Sequence, residues 1–250
     1  MNQVIATVIS NIEVLPHVHL MWLECPSICR ETLPGQFVMV RCGEETILRR
    51  PLSIHQIEGD RLAILYTVIG KGTQWLATRQ PGEGVDILGP LGNGFMVDDD
   101  SRNLLLVAGG MGIAPLVFLA DKAVAEGRDV TLLYGTANND RYAVPTGIRE
   151  VAATEDGSVG HQGMITELVP EYLEATDQTF TCGPLPMLQN IANMSELEER
   201  SVQVSLEMRM GCGFGVCYSC TIKTVDGLKQ VCKDGPVFEL NNIVWEEIRI

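Results

Sequence analysis

"NLLLVAGGMGIAPLVFLADKAVAEGRDVTLLYG", residues 103–135, sets two short apolar runs on either side of a helical stretch. The unbroken apolar run Leu104–Ala108, closed by glycines, suits a strand buried on both faces. "IAPLVFLADKAVAEG" then places its apolar residues at helical spacing, and Gly127 supplies a stop. "DVTLLYG" is a second buried strand. Strand, helix and strand in succession require a crossover, and hence a parallel sheet. The rhythm continues with "TFTCGP", a helix from Pro184 to about Met194, and "VQVSLE". Residues 98–206 are therefore expected to form a doubly wound, nucleotide-binding α/β domain.

Upstream the rhythm is different. "QVIATVI", "VHLMWLE", "QFVMVR", "RLAILYTVI" and "GVDILGP" alternate apolar and polar residues between turn signals, which predicts an antiparallel barrel over residues 1–97. One short helix is expected at "GTQWLATR". Downstream, residues 207–250 are read as a third, small domain with strand-like pieces "TIKTV" and "IVWEEI". "NNDRYAVP" and "TEDGSVGHQG" read as polar loops. The fold class is thus multidomain, α+β and α/β, with barrel, parallel sheet and small C-terminal domain in that order.

Composition narrows the function. The chain has 250 residues, 46% of them hydrophobic, and a formal charge of −14, which argues against nucleic acid or an anionic membrane as partner. No apolar run approaches the ~18 residues needed to span a bilayer. "MNQVIATVISNIEVLP" lacks a basic segment followed by an apolar one and reads as a strand, not a signal peptide. A cytoplasmic location is expected. Its reducing environment turns the eight cysteines away from disulfides and toward metal or redox use.

Four of those cysteines stand as Cys212-x4-Cys217-x2-Cys220-x11-Cys232. Three closely spaced thiols followed by a distant fourth is the plant-type arrangement for a 2Fe-2S cluster. Gly211, Gly213 and Gly215 lie between or beside them, where positive φ angles and close backbone approach would be needed. Structural zinc is the rival, but it favours paired C-x2-C knuckles, and Cys232 has no cysteine two or three residues away. Cys25, Cys29 and Cys42 read as small buried thiols. The four histidines, His17, His19, His55 and His161, occupy no ligand spacing and read as structural or solvated.

Two further groups of residues suit cofactors. In "RRPLSI", Arg50 can clamp a pyrophosphate and Ser53, beyond the rigid Pro51 and Leu52, can reach a flavin edge. "TVIGKGT" carries Thr67, Val68 and Ile69 out of a strand and into a helix through Gly72 and Thr73, an anion site at a helix start. "GPLGNGF" follows at the expected handover to the next domain. In "VAGGMGIAP", Gly109, Gly110 and Gly112 would let a dinucleotide approach the backbone. Cys182, Gly183 and Pro184 repeat the device at a later strand end, so a nicotinamide would fit between the two turns with the Cys182 thiol near its ring. In "YGTANNDRYAV" only Arg141 is available for a 2′-phosphate, and Asn138, Asn139 and Asp140 suit a free ribose, which favours NADH.

The order of motifs, R-P-x-S, G-x-G-T, G-G-x-G-x-x-P and C-G-P-x-P-M, resembles the ferredoxin–NADP reductase superfamily over about residues 1–200. With "MRMGCGFGVCYSCTIKT" and "QVCKDGPVF" added, the whole chain resembles the electron-transfer subunits of type B dihydroorotate dehydrogenase. That resemblance implies FAD, one 2Fe-2S cluster, NAD as electron acceptor, and an FMN-containing, dihydroorotate-oxidising partner in a heterotetramer serving pyrimidine biosynthesis. It places Arg50 at the FAD phosphate and Ser53 at the isoalloxazine. Thr67, Val68 and Ile69 would line the flavin by backbone, Gly72 and Thr73 its pyrophosphate, and Cys212, Cys217, Cys220 and Cys232 would ligate the cluster. Leu52 departs from the wider superfamily, which often has an aromatic there, so aliphatic packing on the ring is expected. No catalytic acid or base is singled out. A related flavin and iron–sulfur subunit of an NADH–ferredoxin transhydrogenase or sulfhydrogenase is the alternative, and a zinc-stabilised, redox-inactive binding module a second.

Overall fold

The computed structural model describes residues 1–248. Six strands make the N-terminal barrel: β1 (Asn2–Leu15), β2 (Val18–Glu24), β3 (Phe37–Val40), β4 (Arg50–Glu58), β5 (Arg61–Thr67) and β6 (Gly84–Leu91). They close in the order β1-β2-β5-β4-β3-β6, every neighbour antiparallel. Closure leaves no free edge. In β6 the alternation legible in the sequence is the alternation of burial, with Val85 and Ile87 filling the interior. In β3 both faces are buried, Val38 and Val40 in the barrel and Phe37 and Met39 against the C-terminal region. Two short helices, α1 (Pro26–Cys29) and α2 (Lys71–Ala77), interrupt the meander, the second close to the helix expected at "GTQWLATR".

The second unit is a seven-stranded sheet. Its parallel strands are β7 (Asn103–Gly109), β8 (Asp129–Thr136), β9 (Arg149–Thr154), β10 (His161–Gln162), β11 (Gln178–Cys182) and β12 (Val202–Ser205). Helices α3 (Ile113–Ala125), α4 (Val169–Tyr172) and α5 (Leu185–Ala192) cover it. Alternate residues of β7 explain its unbroken apolar run. Leu104, Leu106 and Ala108 pack with α3 on one face, while Leu105 and Val107 pack with Leu188 and Ile191 of α5 on the other. The order β10-β9-β8-β7-β11-β12 reverses direction between β7 and β11, and that reversal is the crevice of a doubly wound sheet.

The C-terminal region contributes a hairpin, β13 (Thr221–Thr224) with β14 (Gly227–Gln230), then α6 (Val231–Asp234) and β15 (Val237–Glu239). β15 pairs antiparallel with β12, so this region extends the nucleotide sheet itself. Its Cys220, Ile222, Val231 and Cys232 share one core with Leu105 and Val107 of the sheet and with Phe37 and Met39 of the barrel.

Two segments differ from their sequence reading, and a third carried none. "TEDGSVGHQG" contains the edge strand β10, and "REVAAT", which has no reading in the sequence, forms β9; both hold place by pairing with a neighbour, without an apolar period of their own. "IVWEEI" is not a strand. Ile243 makes one bridge to Thr224, and the chain then turns through a 3-10 turn at Trp245–Glu247. That turn lets the Trp245 indole N–H donate to the Leu240 carbonyl at 3.0 Å while Ile243 and Ile248 both reach the core. Among the described residues no helix is long and apolar enough to cross a membrane.

Candidate functional site

A cavity of about 910 Å³ lies where the barrel, the start of α3 and residues 205–210 meet. That is near the upper end for small-molecule pockets and suits a ligand of dinucleotide size. Arg50, Pro51, Leu52 and Ser53 at the start of β4 line it, as do Thr67, Ile69, Gly72 and Thr73. Val68, between them, donates its N–H to the His17 carbonyl at 2.7 Å and packs its side chain on the barrel core, so any part it takes in the wall is a backbone one.

The adjacent arginines have separate fates. Arg49 makes a fork on Asp86, at 3.0 and 2.7 Å, and is held on the barrel wall. Arg50 carries no ion pair among the described residues and borders the cavity beside Gly72. A methyl group on Gly72 would stand 3.1 Å from Arg50 Nε and 3.2 Å from Cys42 Cβ, so the glycine leaves the guanidinium its room. Thr73 is committed to the loop: its hydroxyl accepts the N–H groups of Ile69 and Gly70 at 3.0 and 3.2 Å.

"GPLGNGF" plays a different part from the one its position suggested. Residues 89–95 are absent from the cavity wall and instead seat the C-terminal region. Asn93 donates its backbone N–H to the Gly235 carbonyl at 2.5 Å and its side-chain amide to the Asp234 carbonyl at 2.8 Å. A side chain at Gly92 would strike Gly235 and Pro236.

The glycines of "VAGGMGIAP" stand at the crevice between β7 and β11. Gly109 faces Pro184 and Met187, and a methyl at Gly112 would run into the Cys182 carbonyl and the Gly183 nitrogen. Gly110 alone takes a positive φ, +51°, and faces open space. Gly109, Gly110, Gly112, Cys182, Gly183 and Pro184 thus come together at the switch point, while the cavity wall there is formed by Met111 and Ala114. Cys182 is fully buried just behind that wall. Desolvation pushes its thiol well up, the nearby Glu207 adds to this, and the Ser205 hydroxyl opposes it.

Residues 205–210 are what the sequence reading missed. Ser205, Leu206, Glu207, Met208, Arg209 and Met210 all border the cavity, and the chain then runs directly into Cys212. Glu207 borders the cavity and is exposed to solvent, and partial desolvation raises its carboxyl above the usual range. Its only sequence signal is its place at a strand end, between a nucleotide crevice and a cysteine loop.

The cysteine loop arranges its thiols in two pairs. Cys212 touches Cys217 on the open side, and Cys220 touches Cys232 on the buried side. Backbone N–H groups aim at the sulfurs: Gly215 at Cys232 Sγ (3.1 Å), Val216 at Cys212 Sγ (3.3 Å) and Cys232 at Cys220 Sγ (3.4 Å). At Cys212 desolvation is the largest effect and raises the thiol. The N–H groups of Phe214, Cys217 and Val216, with the Cys217 thiol, outweigh it and bring Cys212 to about 6. Burial and the neighbouring Cys220 push Cys232 up to about 12.

Gly213 and Gly215 take φ of +85° and +86° as the loop demands, whereas at Gly211 an added methyl group would stand 3.1 Å from Cys217 Sγ. Tyr218 adopts +58° without being glycine. Among the described residues no group of three or more Cys, His, Asp or Glu side chains is arranged to hold a metal ion. Two thiol pairs with inward N–H donors match a two-iron cluster, which takes two thiolates on each iron, better than a single tetrahedral zinc.

A family model of the iron–sulfur cluster binding domain of dihydroorotate dehydrogenase B matches residues 207–244. The electron transfer subunit of dihydroorotate dehydrogenase B (NAD(+)) from Desulforamulus reducens is 38% identical, over 96% of this chain and 98% of its own. The subunit of the same name from Caldanaerobacter subterraneus subsp. tengcongensis is 36% identical, again over 96% and 98%. Among solved structures, an NADH-dependent reduced ferredoxin–NADP oxidoreductase shares 26% identity and a TM-score of 0.86, over 97% of this chain and 91% of that one. The ferredoxin reductase of carbazole 1,9a-dioxygenase, at 20% identity, 0.70, 81% and 68%, shares the fold.

Proposed function

The chain belongs to the family of electron transfer subunits of dihydroorotate dehydrogenase B (NAD(+)), and from this we propose that it passes electrons between a dihydroorotate-oxidising, FMN-containing partner and NAD+, through a 2Fe-2S cluster and FAD, in pyrimidine biosynthesis. Residues 1–97 would serve the flavin, 98–206 the nucleotide and 207–250 the cluster. One observation carries the reading: a single segment, Ser205–Met210, walls the flavin-sized cavity and continues into the first cysteine of the cluster loop. Two cofactor sites joined by so short a stretch suit electron transfer between them.

A flavin bound there supplies the exchange between a nicotinamide, which moves electrons in pairs, and a cluster that takes them singly. The residues bind and orient. Arg50 holds the pyrophosphate, Ser53 reaches the ring edge, and Leu52 packs aliphatically where relatives of wider kinship stack an aromatic. Cys212, Cys217, Cys220 and Cys232 hold the cluster. Cys182, kept as a neutral thiol, backs the place where the nicotinamide meets the cavity. Arg141 pairs with Glu150 and is thereby withdrawn from a 2′-phosphate, which favours NADH. Around the open Cys217 stand Phe214, Val216 and Tyr218, all exposed, and these form the face on which the partner docks. A heterotetramer of two such pairs is the proposed assembly, working in the cytoplasm.

The decisive experiment is a visible spectrum of anaerobically purified protein before and after NADH, followed by identification of the protein that co-purifies. Flavin and iron–sulfur absorbance that bleaches with NADH, and an FMN partner that oxidises dihydroorotate, are the expected results. Zinc in place of iron, or no flavin, would overturn the proposal. The likeness to the NADH-dependent ferredoxin–NADP oxidoreductase sustains a second reading, a subunit of a ferredoxin-linked complex. A larger partner with additional iron–sulfur centres would decide for it.

Arg50 and its neighbour give a contrast. Arg50→Ala is expected to weaken FAD binding about 10- to 100-fold, the weight of a lost charge-assisted hydrogen bond. Arg49→Ala should lower the melting temperature while FAD stays bound, since Arg49 serves Asp86. Titrating flavin into the two apo variants measures both.

A further inference from the structure

His55 is fully buried although its ring is ionisable. Desolvation lowers it to about 4, against the contrary pull of the Ala114 carbonyl, so the ring is neutral at physiological pH. A neutral imidazole has one N–H and one lone pair, and both are used. Nδ1 lies 2.8 Å from the Ala114 carbonyl, a pure acceptor, so Nδ1 carries the proton. Nε2 is left to accept the Tyr142 hydroxyl at 2.9 Å. The two rings meet edge to face, with centroids 5.0 Å apart at 83°.

These three residues belong to different parts of the molecule. His55 lies on β4 just beyond Ser53, which borders the cavity. Ala114 is in the first turn of α3 and borders it too. Tyr142 sits in residues 137–148, which connect β8 to its parallel neighbour β9. Such a connection normally contains a helix, whose own hydrogen bonds hold it. Here the chain crosses back without one, so side chains must fix its path. The Thr136 hydroxyl donates to the Asn138 carbonyl at 2.6 Å, and Asn138 Oδ1 accepts the Asp140 N–H at 2.8 Å. Those bonds are internal to the turn, and the bond from Tyr142 ties it to the barrel. Asn138–Asp140 stand at the carboxyl end of β8, the side of a doubly wound sheet on which nucleotides bind.

We propose that His55 is a positioning residue for the nicotinamide nucleotide: through the Tyr142 hydroxyl it latches residues 137–148 to the flavin barrel and holds Asn138–Asp140 in place for the adenosine half. The latch rests on the nucleotide reading given above. It also accounts for a buried histidine that neither cofactor site uses. A natural control lies next to it. Gln56 donates to Asp121 Oδ2 at 2.7 Å, joining the same strand to the same helix through a bond that does not include Tyr142.

Tyr142→Phe keeps the ring and removes only the hydroxyl. In the full chain with its partner, KM for NADH and the calorimetric Kd for ADP-ribose should each rise about 3- to 10-fold, the weight of one neutral hydrogen bond. Turnover at saturating NADH and flavin absorbance should stay at the wild-type level. His55→Phe should match it, and the double variant should be no worse than either single one. Gln56→Leu should lower the melting temperature and leave KM and Kd alone. The proposal is overturned if Tyr142→Phe lowers the melting temperature at wild-type KM and Kd, or if Gln56→Leu raises KM equally. A wild-type chain that neither binds ADP-ribose nor is reduced by NADH would overturn the nucleotide reading and the latch together. Only that failure shows in the wild type.

Discussion

Serine in place of Cys232 is expected to leave a folded chain that has lost its iron–sulfur absorbance and most of its iron. Loss of a second-sphere partner costs a metal site about 10- to 100-fold in affinity, so loss of a ligand should exceed about 100-fold. Electron flow from NADH to a one-electron acceptor should fall by at least the same factor, while NADH still reduces the flavin, because Cys232 lies outside the cavity wall. The physical reason is the position of the thiol. Cys232 is buried, paired with Cys220, and receives the Gly215 N–H, so no neighbouring group can replace it. Cys25→Ser and Cys42→Ser serve as comparisons, both thiols lying in the barrel core. Iron analysis that found Cys232→Ser fully loaded, with one of those comparisons depleted, would refute the ligand assignment.

Gly112→Ala should be among the most destabilising changes of a single methyl group in the nucleotide domain. The backbone angle is an ordinary helical one, φ −59°, so strain at the residue itself is not the cause. The added carbon meets the Cys182 carbonyl and the Gly183 nitrogen, backbone atoms of the neighbouring strand end that cannot turn aside. Overpacking of this kind costs about 2–3 kcal/mol, which for a chain of this size lowers the melting temperature by roughly 5–10 °C. It also forces apart the two turns at the crevice, so KM for NADH should rise along with the loss of stability. Gly110→Ala provides the contrast. Gly110 pays only for its left-handed backbone, about 1 kcal/mol, because no atom lies near the added methyl. Thermal melts and NADH titrations of the pair test both statements, and equal effects would contradict the packing argument.

Legibility varied along the chain for identifiable reasons. β7 could be read because both of its faces are buried, and its run of apolar residues meets helices on either side. Barrel strands such as β1 and β6 could be read because one face is more open to solvent than the other. β9, β10 and β15 could not: β10 and β15 sit at the sheet edges, β9 lies just inside β10, and all three exist by pairing with a neighbour. The arginines of "RRPLSI" are equivalent in sequence. Only Asp86, brought from β6, decides that Arg49 is structural and Arg50 is open to the cavity. "GPLGNGF" was read beside the cofactor motifs, but its glycines make room for Gly235 and Pro236.

The spacing of Cys212, Cys217, Cys220 and Cys232, and the glycine turns after β7 and β11, were determined by the sequence alone. Local chemistry of this kind depends on residues a few positions apart, and a short loop or turn brings them together whatever surrounds it. Tertiary structure alone decided that Ser205–Met210 would wall the flavin-sized cavity, that Glu207 would face into it, and that His55 would meet Tyr142. Each of these depends on apolar surfaces of the barrel, the sheet and the cysteine region closing on one another. Burial is non-directional, and no residue pattern within a single segment records which distant partner will cover it.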